Sequence, residues 1–159
     1  MSTLALPQVG SEAPDFKLKG AGGTFYTLNE YRGTQPVILV FYPFAFSSIC
    51  THQLPEVQEM YPRAQAAGVE ILGISVDSYH SATAFAKSLC VSFPLLSDWD
   101  RAASRAYGVL LEGPNFANRA LFAIDRNGKV VYAEVTEDLD DPAKVPSHER
   151  AFAALTATA

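Results

Sequence analysis

Residues 36–50 read Pro36-Val37-Ile38-Leu39-Val40-Phe41-Tyr42-Pro43-Phe44-Ala45-Phe46-Ser47-Ser48-Ile49-Cys50. The stretch 36–42 is an unbroken apolar run rich in β-branched and aromatic residues, the pattern of a central strand covered on both faces. A loop at 43–46 follows. Beyond it Leu54, Val57, Met60, Tyr61, Ala64 and Ala67 recur at helical spacing until Gly68 ends the pattern. A buried strand running into a helix through a short loop is the opening half of a βαβ unit, and the rest of the chain completes it.

Downstream, 69–76 reads as a second apolar strand, 78–89 as a helix, 93–96 as a short strand and 100–107 as a helix stopped by Gly108. Residues 120–125 and 129–135 flank Arg126-Asn127-Gly128, and Asn-Gly between two apolar strands is a strong hairpin signal. A last helix starts at Ser147, with Glu149 in its first turn and Phe152 and Leu155 facing inward. Upstream, 15–18 and 25–28 form a hairpin around Gly20-Ala21-Gly22-Gly23. This order implies an α/β fold, a mixed sheet with helices on both faces and right-handed crossovers.

Composition agrees. At 159 residues, 48% apolar and 18% charged, the chain fits one domain (1–159) with a real core. The 12 Lys+Arg against 17 Asp+Glu give −5, without a basic block, which argues against nucleic acid and anionic membranes as partners. No stretch approaches the ~20 apolar residues of a membrane span, and residues 1–7 lack a basic, apolar leader, so a cytoplasmic location is expected. Two cysteines are too few for a disulfide scaffold.

The chemistry concentrates at Cys50. It lies past the carboxyl end of the buried strand, where sites in open α/β sheets gather. With Ser47 as N-cap, Cys50 takes the third helical position, where the helix dipole and free N–H groups favour a thiolate. Pro55 withholds a helical N–H one turn later and is expected to kink the helix. The competing reading is an inert buried cysteine. Gln53 rules out a C-x-x-C pair, and His52 lies on a neighbouring helix face, too poorly placed to act as a base. His80 and His148 are isolated, no Cys or His residues show metal-ligand spacing, and neither a phosphate loop nor a dinucleotide fingerprint occurs.

The segment Pro43-Phe44-Ala45-Phe46-Ser47-Ser48-Ile49-Cys50 matches the pattern Pro-x-x-x-Thr/Ser-x-x-Cys and resembles the peroxiredoxin family, whose core is thioredoxin-like. Gly10-Ser11-Glu12-Ala13-Pro14-Asp15-Phe16, Phe93-Pro94-Leu95-Leu96-Ser97-Asp98, Tyr107-Gly108-Val109 and Asn118-Arg119-Ala120-Leu121-Phe122-Ala123-Ile124-Asp125 are similar to further family segments, in order. Within the family the chain is most similar to the short alkyl hydroperoxide reductase E type of actinobacteria. It has no second Val-Cys-Pro motif, so it does not look like a typical two-cysteine member.

The resemblance implies a thiol-dependent peroxidase acting on hydrogen peroxide or organic hydroperoxides. Cys50 would be the attacking thiolate and Ser47 would hold thiolate and peroxide. Arg119 would stabilise the thiolate and the charge on the leaving oxygen, and Pro43 would shield the site. From the residues alone, Ser47 reads more readily as a helix cap and Arg119 as a strand-edge ion pair. Two departures stand out: Ser47 where Thr is commoner, and Gln53 where relatives often carry Glu. No metal, flavin or nucleotide is implied.

Oxidised Cys50 would return either through Cys90, which family members sometimes parallel with a resolving cysteine in this helix region, or through an external thiol. Thioredoxin- or glutaredoxin-like proteins and low-molecular-weight thiols are the candidates. Cys90 also reads as a small apolar residue closing its helix. An alternative function is a peroxide sensor or relay that passes oxidation from Cys50 to a partner. A third is a thioredoxin-fold interaction module without catalysis. The cluster Tyr42, Phe44 and Phe46 is more apolar than one loop needs, and by resemblance a homodimer packs there.

Overall fold

In the computed structural model, which describes residues 5–157, the apolar run becomes strand β3 (Val37–Phe41), buried along its whole length. Its side chains alternate as a strand requires: Ile38 and Val40 enter one core, while Val37, Leu39 and Phe41 enter the other. Two cores, one on each face, explain why this strand tolerates no polar residue.

Six more strands join it: β1 (Lys17–Lys19), β2 (Phe25–Thr27), β4 (Glu70–Ser75), β5 (Leu95–Ser97), β8 (Ala120–Ile124) and β9 (Val130–Val135). Their order across the sheet is β2-β1-β5-β4-β3-β8-β9. β3, β4 and β5 are parallel, and the flanking pairs are antiparallel. Helices α1 (Ser48–Ala66), α2 (Tyr79–Leu89) and α4 (His148–Thr156) bury Leu54, Val57, Phe85, Ala151 and Leu155 against the face of Ile38. The short α3 (Ala102–Ala106) packs Ala103 on the opposite face beside Phe41 and Tyr107. The expected mixed sheet with helices on both faces is therefore present. Phe152 is only half-buried against the core, and Ala151 and Leu155 carry the burial of α4.

Helix α1 continues through both Pro55 and Pro62 without interruption. It stops where expected, at Gly68, whose φ of +77° turns the chain into β4 at no steric cost. The Asn127-Gly128 turn also forms: Gly128 has φ +81°, and Asp125 Oδ1 accepts the N–H groups of Asn127 and Lys129.

Two features differ from expectation. The helix expected over 100–107 is one turn, because Asp98 takes over its start. That buried carboxylate accepts the N–H groups of Ala103 and Ser104 and the Ser104 hydroxyl, so the helix cannot begin earlier. A small hairpin, β6 (Leu110–Leu111) with β7 (Phe116–Ala117), forms before β8. Two-residue strands are too short to show a period, so hydropathy does not reveal them. The N-terminal reading falls partly on residues 1–4, outside the described residues. Among those described, no helix is long and apolar enough to cross a membrane.

Candidate active site

Topology assembles the site at the carboxyl end of β3. Phe41 pairs with Ala120 across the antiparallel β3–β8 ladder, so Arg119 stands where β3 gives way to the 43–47 loop. That loop delivers the chain to α1, and Cys50 is the third residue of the helix. The resulting contact is direct: Arg119 Nη1 lies 3.1 Å from Cys50 Sγ. Both side chains are buried, Cys50 fully and Arg119 to 3% exposure.

The same Nη1 donates to Gln53 Oε1 at 2.6 Å. Because a guanidinium only donates, the amide must present its oxygen, which fixes the Gln53 orientation. Gln53 is itself buried, and its Nε2 has no partner. None of the ion pairs among the described residues includes Arg119, so the strand-edge ion pair weighed as its alternative role does not form. A buried cation without a carboxylate is costly unless another anion balances it. Cys50 Sγ is the atom placed beside it.

Ser47 occupies the N-cap position in extended conformation, as expected, but its hydroxyl does not cap the helix. Its carbonyl instead accepts both the N–H and the hydroxyl of Thr51, and Ser47 Oγ is buried with no partner. A hydroxyl freed from capping and unsatisfied in a site is available to a ligand. Ser47, Pro43, Phe44, Phe116, Arg119 and Asp140 line a cleft of about 210 Å³, room for a small molecule, with the thiol behind its Arg119 wall. Pro43 is buried and carries no N–H, so it closes one side without adding a competing donor.

The loop is held in a strained form. Phe46 has φ +68°, a left-handed conformation costing a non-glycine residue roughly 1–2 kcal/mol. Its ring packs against Phe85 at 4.9 Å between centroids, and Phe44 against Phe116 at 4.7 Å, both pairs tilted. At the loop's midpoint, Ala45 N–H donates to Asp77 Oδ2 at 2.8 Å.

Cys90 is elsewhere. It closes α2, exposed, with φ +56°, the left-handed cap that glycine usually fills. Since α2 leaves the carboxyl end of β4 and returns to the start of β5, Cys90 sits at the amino edge of the sheet. Cys50 sits at the carboxyl edge; the five-residue β3 alone spans ~17 Å between the two edges, against a ~7 Å Cα limit for a disulfide, and both cysteines are free. The histidines form no cluster: His52 and His80 are exposed, and His80 stacks on Tyr79. Among the described residues no group of three or more His, Cys, Asp or Glu could hold a metal ion.

Of the residues singled out from sequence, Cys50, Ser47, Pro43 and Arg119 thus converge and Cys90 does not. Gln53, noted only as a departure, is the residue the sequence reading undervalued. Its signal was its spacing, three residues after Cys50 and so on the same helix face.

The model of the AhpC/TSA family matches residues 9–133. Alkyl hydroperoxide reductase E of Mycobacterium tuberculosis is 38% identical over 154 residues, covering 94% of this chain and 98% of that protein. Peroxiredoxin 2 of Thermoplasma acidophilum is 33% identical, covering 86% of this chain and 73% of that one. Among solved structures, peroxidoxin BcpB from M. tuberculosis superimposes with a TM-score of 0.83 at 28% identity, covering 96% of this chain and 99% of that one. The reduced 2-Cys peroxiredoxin of Plasmodium vivax gives 0.80 at 28%, covering 94% and 95%. These matches span the sheet, α1 and Arg119 together, and the chain accordingly belongs to the AhpC/TSA family as a peroxiredoxin, a thiol-dependent peroxidase of thioredoxin-like fold.

Proposed function

We propose that Cys50 is the peroxidatic residue, with Arg119, Ser47 and Pro43 as its site. The observation that carries this reading is the 3.1 Å approach of a buried, carboxylate-free guanidinium to a buried sulfur. The Cys50 thiolate attacks one oxygen of the peroxide. The S–O bond forms as the O–O bond breaks, sulfur gives up two electrons, and the departing oxygen takes up a proton as water or alcohol. Arg119 offsets the charge that grows on that oxygen, and electrostatic help of this kind is usually the largest contribution. The Ser47 hydroxyl, otherwise unsatisfied, holds the peroxide in line.

The product on the protein is a Cys50 sulfenic acid. We assign its reduction to an external thiol rather than Cys90, because the two cysteines stand at opposite edges of the sheet. One thiol displaces the sulfenic oxygen as water and forms a mixed disulfide, and a second releases Cys50. A thioredoxin- or glutaredoxin-like protein, or a small thiol, fills that role, and the location we assign is the cytoplasm. Intact mass after one equivalent of hydrogen peroxide, without reductant and with acid quench, tests both assignments. A gain of ~16 Da on Cys50 is expected. A loss of ~2 Da would transfer the resolving role to Cys90, and an unchanged mass would overturn the peroxidase site.

We further propose a homodimer packed on the loop face. Phe44 and Phe46 are 41% and 58% exposed, while Tyr42 is fully buried and belongs to the core rather than to that surface. These two rings, exposed together beside the site, are the apolar surface we assign to the partner protomer. Light scattering at tens of micromolar should give twice the 17.2 kDa chain mass; a monomer would count against the dimer.

A further inference from the structure

We propose that Asp77 is a positioning residue for peroxide reduction: its carboxylate fixes the 43–47 loop so that the Ser47 hydroxyl faces the peroxide beside Arg119. The inference rests on Cys50, Ser47 and Arg119 forming the peroxide site. Asp77 lies two residues past the end of β4, one strand across from the loop. Its Oδ2 accepts two hydrogen bonds, from Ala45 N–H at 2.8 Å and from the Ser75 hydroxyl at 2.7 Å. Its carbonyl accepts the Ser97 hydroxyl at 2.6 Å, so the residue is anchored to both β4 and β5. Asp77 is therefore a rigid post, tied to the sheet on one side and to the loop on the other.

The loop needs such a post. Within the loop there is one 3.4 Å contact, from Ser47 N–H to the Phe44 carbonyl, and the Ser47 carbonyl ties only the far end of the loop to Thr51 of α1. The loop also contains the strained Phe46, next to the residue that carries the peroxide-binding hydroxyl. Strain of this kind persists only where surrounding bonds over-determine the backbone. A charge-assisted bond to Ala45, one residue before Phe46, supplies the restraint. Released from it, the chain relaxes toward an unstrained φ and moves Ser47 with it. Displacements of ~1 Å in a reacting constellation cost up to ~100-fold in rate.

Three variants test the assignment by two rates, hydrogen peroxide reduction and iodoacetamide alkylation of Cys50. Asp77→Ala should lower the second-order rate with peroxide by ten-fold or more, about the cost of a misplaced group. Alkylation, which needs the sulfur but no bound peroxide, should not fall. Asp77→Asn retains an acceptor for Ala45 and should recover the peroxide rate to within about three-fold of wild type. If Asp77→Ala does not fold by circular dichroism, Asp77→Ser carries the same expectation, since its shorter side chain stays polar but cannot reach Ala45. A wild-type peroxide rate in the Ala or Ser variant overturns the proposal, and so does an Asn variant as slow as either. A parallel fall in alkylation also overturns it, by showing general damage. Failure of the underlying site reading looks different, because a Cys50→Ser variant would then still consume peroxide.

Discussion

Gln53 shows how one neutral side chain sets the charge balance of a buried site. Arg119 offers a single nitrogen to both Cys50 and Gln53. With an amide as second acceptor, the guanidinium keeps its full charge for the sulfur and for the oxygen that leaves. A carboxylate in the same place would accept the bond equally well but bring a second negative charge into a water-poor pocket, where such charges act strongly. Gln53→Glu is therefore expected to slow hydrogen peroxide reduction by about ten-fold, a rise of about 1.4 kcal/mol in the barrier. The measurement is peroxide consumption under pseudo-first-order conditions, and an unchanged or faster rate would show that Gln53 serves packing alone. Most of this site was legible residue by residue, because Pro43, Ser47 and Cys50 lie in one short segment and Arg119 in a recognisable strand. Gln53 was visible only as an oddity. Its role depends on the β3–β8 register that brings Arg119 over α1, which no local pattern contains.

At the scale of elements, what the sequence disclosed tracks how strongly each element depends on its own residues. Strand β3 is an unbroken apolar run and helix α1 is long and periodic, and both appear where hydropathy places them. The Asn127-Gly128 hairpin follows from backbone conformations that few residues accept. Elements bounded by a side chain capturing backbone groups are the ones that depart from hydropathy. Asp98 truncates α3 by capturing its first free N–H groups, and a buried aspartate doing this looks in sequence like an ordinary loop residue. Ser47 is the subtler case: it stands at the head of α1 as expected, yet its hydroxyl makes no cap and is left without a partner beside the cleft. A Ser at an N-cap position is normally read as a cap, and only the packing of the loop shows the alternative. Cys90 tests the same principle in reverse. Two cysteines forty residues apart invite pairing, but the βαβ crossover sends them to opposite edges of the sheet.

The molecule as a whole carries an alkaline weakness built into its cores. Of its seven tyrosines, burial is the first cause raising Tyr31, Tyr42, Tyr61, Tyr107 and Tyr132 above the ordinary phenol value, to about 12 for Tyr31 and Tyr132. Neighbouring carboxylates add to it: Glu70 accepts from Tyr61 and Glu134 from Tyr132. Tyr107 is the most central, fully buried against Phe41 and Phe122 with its hydroxyl donating to the Pro14 carbonyl at 2.6 Å. In the unfolded chain these phenols lose their protons near pH ~10, while in the folded chain they keep them. Above pH ~10 the unfolded state therefore binds fewer protons than the native state, so stability must fall as pH rises, having been fully present below that value. Melting temperature should hold steady from pH 8 to about 9.5 and then drop through pH 11 and 12, with phenolate absorbance appearing together with unfolding rather than before it. Tyr107→Phe removes one contributor, so its decline with pH should be shallower, even though losing the bond to Pro14 lowers its stability at pH 8. Phenolate absorbance growing to completion in a still-folded protein would show instead that these rings titrate freely, and the two cores would then be far more open to water than their packing indicates.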